Sequence, residues 1–215
     1  MTSRSFPALP AHPDVEVCSE QRVWSGRFPL DVVRFRHRRF DGATSGVKTW
    51  EVWRRGRAAA VLPYDPVADA VVLIEQFRLP ALMAGLDPVL VELPAGLCDD
   101  GETPETTARR EMMEEMGLAV GTLRRIGGVL LTPGGADEVC ELYAGHVRAP
   151  DADGDGIARH AGMEDEHEDI RVRVWPAHRA IAAALNGQFT NSVTMIGLLW
   201  LATQREALRK EWISA

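Results

Sequence analysis

The sequence predicts an α/β fold, α+β in detail, in which helices pack on a mixed sheet and a small antiparallel sheet comes first. Three observations predict it. Between Val15 and about Arg55, the strand-like segments "VEVCSEQRVW", "LDVVRFRHRRF" and "TWEVWRRG" alternate with turn signals at Gly26, Asp41-Gly42 and Gly46, the pattern of hairpins in an antiparallel sheet. Next, "AAAVLPYD" and "AVVLIEQFRLP" are nearly continuous apolar runs, which suit strands buried on both faces. Finally, helical patterns are few and lie among strands without internal repeats, so a layered sandwich is expected rather than a doubly wound parallel sheet.

Taken in order, the first dozen residues are rich in proline and small polar residues and are expected to form a mobile arm. Arm and antiparallel sheet make up residues 1–58, and residues 59–215 the main domain. After the two apolar strands comes a helix that Thr103 and Pro104 start, with a hydroxyl at the N-cap and a proline at the first helical position, and that Gly117 stops. Strands follow in "RIGGVLLTPGG", "VCELYAGHV" and "DIRVRVWP", and helices at about 176–186 and 191–211 close the chain. The segment "DADGDG" from Asp151 begins like a calcium loop, but the twelfth position, which needs a bidentate glutamate, is Gly162. A solvated, turn-rich loop is expected there.

Composition limits the partners. At 215 residues and 46% apolar, the chain can bury a full core. A net charge of -7 argues against nucleic acid and acidic membranes, since no basic stripe is available to release counterions. The three cysteines, Cys18, Cys98 and Cys140, are widely spaced and form no CxxC pair, as expected of free thiols in a reducing cytoplasm. The N-terminus lacks a basic region followed by an apolar run, and the longest apolar stretch, around "MIGLLWLA", is too short to span a bilayer; neither export signal nor transmembrane helix is expected.

The predicted helix after Thr103 is strongly acidic. Glu111 and Glu115 are four residues apart and Glu114 is three from Glu111, so all three share one face, while Ala108, Met112 and Leu118 can turn to the core. A solvated acidic face is the ordinary explanation of such a pattern. Two features weaken it. Like charges at this spacing, close to the helix C-terminus, oppose both each other and the macrodipole by a few tenths of a kcal/mol, and a hard divalent cation would offset that cost. The glycine-rich approach at Pro94-Ala95-Gly96 also lets backbone carbonyls come close to a ligand.

Gly96, Glu102 after five residues, and, after seven more, Arg110-Glu111-Met112-Met113-Glu114-Glu115-Met116-Gly117-Leu118 match the Nudix box, GX5EX7REUXEEXGU, at every fixed and every bulky apolar position. The chain therefore resembles the Nudix hydrolases, and the resemblance implies a Nudix-type α/β/α sandwich that cleaves a nucleoside diphosphate linked to another moiety. Pro133, fifteen residues beyond Leu118 in "LTPGGADE", and "GMEDEHEDIRVRV" from Gly162 are similar to segments of the ADP-ribose pyrophosphatases within that family. The likeness extends through "RFRHRRFDG", "DPVADAVVLIEQFR", "ELPAGL" and "NSVTMIGLLWL".

By this resemblance the metal is Mg²⁺ or Mn²⁺, bound by the Ala95 carbonyl, Glu111, Glu115 and Glu168. Glu166 is the base, Arg110 orients a neighbouring carboxylate, and Glu114 is the next candidate base. Arg55 and Arg78 neutralise the diphosphate and ribose side, since guanidinium forks suit phosphate oxygens, and Thr132 lies beside the diagnostic proline. At the positions that hold adenine in relatives, this chain has Arg27 with Phe28 and Trp50 with Glu51; Trp50 and Arg27 can sandwich a base, and Trp50 can equally serve only to pack a hairpin. The resemblance further implies a homodimer with exchanged N-terminal sheets. Activity on GDP-mannose, or sensing of ADP-ribose without cleavage, are the rival readings, and the intact glutamates speak against the second.

Overall fold

The computed structural model describes residues 6–163 and 168–214. Two compact units are present. One is the chain up to Arg57 together with Leu130–Val139, and the other is Ala58–Val129 with Cys140 onward.

In the first unit, β1 (Val15–Ser25) pairs antiparallel with β2 (Pro29–His37), which pairs antiparallel with β3 (Lys48–Trp53). Of the predicted turn glycines, Gly42 adopts the left-handed φ of 83° that a side chain would disfavour. Burial in β2 alternates, so that Pro29, Asp31 and Val33 face inward, the period-2 signature of a half-covered strand. An inward aspartate needs a partner, and Arg54 supplies it at 2.9 Å. The segment Leu130–Val139 joins this unit by main-chain bonds: Trp53 N–H donates to the Gly135 carbonyl, Asp137 N–H to Trp53 and Val139 N–H to Gly56. The arm is less free than its composition suggests, because Arg54 Nη2 donates to the Pro7 carbonyl at 2.6 Å and lies over the Phe6 ring.

The second unit holds an eight-stranded sheet. Its elements are β4 (Arg57–Asp65), β5 (Ala70–Phe77), β6 (Val89–Glu92), β7 (Ala95–Leu97), β8 (Leu123–Leu130), β9 (Val139–His146), β10 (Ile157–Ala161) and β11 (Ile170–Pro176). The main path is β10-β11-β5-β4-β9-β8, with β6 on β5 and β7 on β4. Antiparallel pairs join β10 to β11 to β5 to β4. Val139 N–H bonds Gly56 and Val147 N–H bonds Tyr64; since the chain advances in the same sense on both sides, β4 and β9 run parallel and the sheet is mixed, as expected.

β4 is buried from Ala58 to Asp65 and β5 from Ala70 to Ile74, which the continuous apolar runs require of a sheet covered on both faces. Alternation then assigns the layers. Ala59 and Val61 pack with Ala108, Met112 and Met116 of α2 (Pro104–Met116). Their neighbours turn the other way: the Leu62 backbone-proximal Cβ lies near Gly197 of α4 (Ser192–Ile213), and the Tyr64 ring lies 6.4 Å from Trp212. With α3 (Ala177–Leu185) beside α4, this is the α/β/α sandwich predicted. The second apolar run, expected to be a strand as far as Pro80, is β5 only to Phe77, and the short α1 (Leu79–Met83) follows, with Pro80 in its first turn. The "DADGDG" loop is a turn closed on Asp153, whose Oδ1 accepts the N–H groups of Asp155 and Ile157. No described helix is long and apolar enough to cross a membrane.

Candidate active site

Helix α2 begins and ends where its caps predict. The Thr103 side chain accepts the Thr106 N–H, Pro104 opens the first turn, and Gly117 closes the helix in the left-handed conformation at φ 62°. Those limits fix which carboxylates point inward. Glu111 and Glu115 are buried at 9% and 4% exposure on the edge of the stripe formed by Ala108, Met112 and Met116. Glu114, on the same side, remains partly exposed.

One arginine serves this face. Arg110 Nη1 donates to Glu111 Oε1 at 2.8 Å and to Glu114 Oε2 at 2.7 Å, so some of the repulsion between the acids is offset locally, before any cation binds. The rest of the guanidinium is spent on Glu102, through Nε at 3.0 Å and Nη2 at 3.1 Å, and on the Leu97 carbonyl. Glu102 in turn accepts from the Thr107 hydroxyl and the Asp99 N–H. The Arg110 bond first, with the Asp99 and Thr107 donors adding, holds its carboxyl down at about 2. Glu102 thus orients the arginine that the sequence reading named, a role recoverable only once the helix and the preceding turn are seen to meet.

Among the described residues no cation is in hydrogen-bonding contact with Glu115; Oε2 accepts the Ala95 N–H at 2.9 Å. Burial raises its pKa well above the usual range, and the charges of Glu111 and Glu168 add to that. Burial likewise pushes Glu111 up to about 7 against the opposing charge of Arg110, with Glu114 and Glu168 contributing. Glu168 therefore shares the field of both helix glutamates, while its own Oε2 accepts the Met163 N–H at 3.2 Å. Glu166 lies outside the described residues.

The backbone leaves room on the strand side. Ala95 and Gly96 in β7 pair with Ala60 and Ala59 of β4, and a Cβ on Gly96 would overlap the Glu111 carboxylate. Two desolvated carboxylates against a bare strand suit a hard divalent ion, because Mg²⁺ commonly takes one or two carboxylates and fills its remaining positions with water and substrate phosphate. Among the described residues no three His, Cys, Asp or Glu side chains are grouped closely enough to hold a metal by themselves, so Glu111, Glu115 and Glu168 do not stand together as a formed three-carboxylate site. Arg78 also feels Glu115 electrostatically, and its Nε donates to buried Glu92 at 2.8 Å; Gln76 and Asn191 hold the same carboxylate.

The other named residues lie in the first unit. Arg55 is clamped between the Phe28 ring at 4.1 Å and the Trp53 ring at 4.7 Å, and Nε and Nη2 donate to Glu138. Arg27 lies over Phe28 at 5.6 Å. Trp50 meets Phe35 edge-to-face at 5.5 Å, so within the chain Arg27 and Trp50 stack on different rings. Trp50 and Glu51 line an open cavity of about 490 Å³ with Leu30, Thr49, Gly134 and Gly135. The Thr132 carbonyl accepts the Gly135 and Ala136 N–H groups and closes the turn that presents those glycines. Glu138 and Asp137 were not anticipated; the acidic pair in "GGADE" was the available signal.

Comparison with known proteins gives three findings. The NUDIX domain matches residues 54–193. An ADP-ribose pyrophosphatase of Escherichia coli is 41% identical over 199 residues, 93% of each chain, and a GDP-mannose pyrophosphatase of Salmonella arizonae is 36% identical over 152 residues, 70% of this chain and 76% of that one. A solved structure described as an ADP compounds hydrolase superposes with a TM-score of 0.63 over 91% of this chain and 98% of its own at 19% identity, a likeness of fold.

Proposed function

The chain belongs to the Nudix family, and from that premise we propose that it hydrolyses the diphosphate bond of ADP-ribose, so that ADP-ribose and water give AMP and ribose 5-phosphate. The observation that carries this reading is the inward face of α2, where Glu111 and Glu115 are buried beside Gly96 with Arg110 committed mainly to Glu102. Likeness to the Escherichia coli ADP-ribose pyrophosphatase spans more of the chain than likeness to the GDP-mannose enzyme, which favours ADP-ribose over GDP-mannose. The intact glutamate pair favours hydrolysis over sensing.

Glu111, Glu115, Glu168 and the Ala95 carbonyl would hold the metal, Mg²⁺ or Mn²⁺ in its place. When bound, such an ion would supply positive charge to the diphosphate and increase the acidity of the attacking water. Arg110, which donates to both Glu111 and Glu114, orients these two carboxylates. Glu166 takes the proton of the attacking water, with Glu114 as the alternative base. Arg78 and Arg55 meet the diphosphate and ribose, while Trp50, Glu51, Arg27, Phe28 and Thr132 receive the nucleoside.

Residues 1–58 are the N-terminal element and 59–215 the Nudix domain in this reading, and two chains exchange their N-terminal sheets to form a homodimer in the cytoplasm. A one-chain mass in sedimentation would overturn the dimer, and cell fractionation tests the compartment. Activity is tested by offering ADP-ribose and GDP-mannose to the purified protein in ¹⁸O water, with Mg²⁺ or with chelator. AMP and ribose 5-phosphate should appear only with Mg²⁺, at a kcat/KM at least about tenfold above that for GDP-mannose, a single decade being about 1.4 kcal/mol of transition-state binding. Preference for GDP-mannose would move the assignment to that substrate, and tight ADP-ribose binding without turnover would make the chain a sensor.

A further inference from the structure

The cavity beside Trp50 has one wall that does not hold itself. Its floor comes from β2 and β3 through Leu30, Thr49, Trp50 and Glu51, but its rim is the backbone of Gly134 and Gly135. A Cβ at either glycine would meet nothing within 4 Å, so the pair is not required by crowding, and adjacent glycines lose much conformational freedom when ordered. Something outside the pair must fix the rim.

Asp137 does so. Its Oδ1 accepts the N–H groups of Arg55 at 2.6 Å and Gly56 at 3.0 Å, and its Oδ2 accepts Arg54 Nε at 2.7 Å. Trp53 adds a main-chain bond on each side, its N–H to Gly135 and its carbonyl to Asp137 N–H. Arg54 Nη1 also donates at 2.9 Å to Asp31, whose side chain lies on the other face of β2 from cavity-lining Leu30. The same guanidinium thus links the segment that carries the rim to β2 from behind the cavity, and it is buried at 8% exposure. Burial pushes Asp137 up, but Arg54 and the Gly56 and Arg55 N–H groups overcome this and hold the carboxyl below its usual range.

We infer that Asp137, through Arg54, is a positioning residue that fixes the Gly134-Gly135 rim and thereby sets affinity for the base of the nucleotide. This rests on the proposal that the Trp50 cavity receives the base. Asp137 itself touches no substrate; losing its tie leaves the glycine rim to be ordered by the ligand, a cost that appears in binding and leaves the chemistry on α2 alone.

The test is Asp137→Asn, which keeps an oxygen for the two N–H groups and removes the ionic bond to Arg54, with Arg54→Lys as a second variant that keeps the charge but loses the fork. Folding is checked by melting curves. KM for ADP-ribose should rise about fivefold to tenfold with kcat within about twofold, Arg54→Lys should do the same to a smaller extent, and the inhibition constant for AMP should rise by the same factor while that for ribose 5-phosphate stays put. An unchanged KM in both folded variants, or a fall in kcat at fixed KM, overturns the inference. Trp50→Ala separates the two layers: if it raises KM and the Asp137 and Arg54 variants do not, only the positioning role fails, and if Trp50→Ala leaves KM unchanged the cavity assignment fails and the inference with it.

Discussion

Arg54 in the first unit and Arg110 on α2 are both arginines ringed by carboxylates, yet their clusters end in opposite electrostatic states. Around Arg54, Asp31 is buried at 2% exposure and shared with a second cation, Arg22. The Arg22 bond first, and then Arg54, hold the Asp31 carboxyl below its usual range despite burial, and Asp137 is held down as well. Around Arg110, among the described residues, a single guanidinium faces Glu102, Glu111 and Glu114, Glu115 has none in contact, and burial lifts both Glu111 and Glu115. Burial by itself therefore does not distinguish a structural acid from a functional one. Compensation does: the first cluster is satisfied by the chain, and the second is left short of positive charge on the side that faces Gly96.

The comparison breaks most sharply at Glu115. If its carboxylate is kept for a cation, Glu115→Gln should lower kcat by about three orders of magnitude, or about 4 kcal/mol in the barrier. Metal-free protein should meanwhile lose no stability, because the substitution removes a poorly compensated buried acid. Steady-state rates with Mg²⁺ and urea unfolding in chelator read the two halves separately. Near-normal rates at saturating Mg²⁺, or a large loss of stability in chelator, would place Glu115 with the structural acids.

Asp31→Asn is the counterpart in the balanced cluster. It leaves Arg54 with Asp137 and a longer contact to Glu20 at 3.5 Å, so a loss of about 3 kcal/mol is expected, at the low end for breaking a buried pair. The unfolding midpoint should fall while kcat at saturating substrate stays within about twofold for whatever fraction remains folded. A stable Asp31→Asn protein would mean that the first cluster is no better compensated than the second.

The contrast between the clusters was only half legible in the sequence. Periodicity and caps located α2 and put Glu111 and Glu115 on one face, because a helix encodes its faces at spacings of three and four. The antiparallel sheet was legible for a similar reason, through alternation and turn residues. Which acids are compensated was not. Arg54 finds Asp137 across 83 residues and Asp31 across 23, and no local pattern records such a partner. Arg55, expected to bind phosphate, also forms a bidentate pair with Glu138 between two rings, a partner 83 residues away that no local pattern records. The arm was expected to be mobile, but the carbonyl that anchors it is a backbone group with no compositional signature.

Glu102 joins the two kinds of behaviour, being an acid of the α2 cluster that is itself compensated. Its folded pKa of about 2 lies below the ordinary 4.5. A depressed carboxylate stabilises the fold fully above its unfolded pKa and loses that contribution as pH falls through the folded value. The window is therefore pH 4.5 down to 2, and the stabilisation above it is about 3 kcal/mol on the linkage relation. Glu102→Gln should cost that much at pH 7 in chelator, and the gap between variant and wild type should narrow by pH 3, where much of the wild-type advantage has already been lost. Denaturant midpoints at the two pH values measure it. A gap that is the same at both would show that Glu102 acts through the shape of its hydrogen bonds to Thr107 and Asp99, and that Arg110 owes its orientation to something other than the charge beside it.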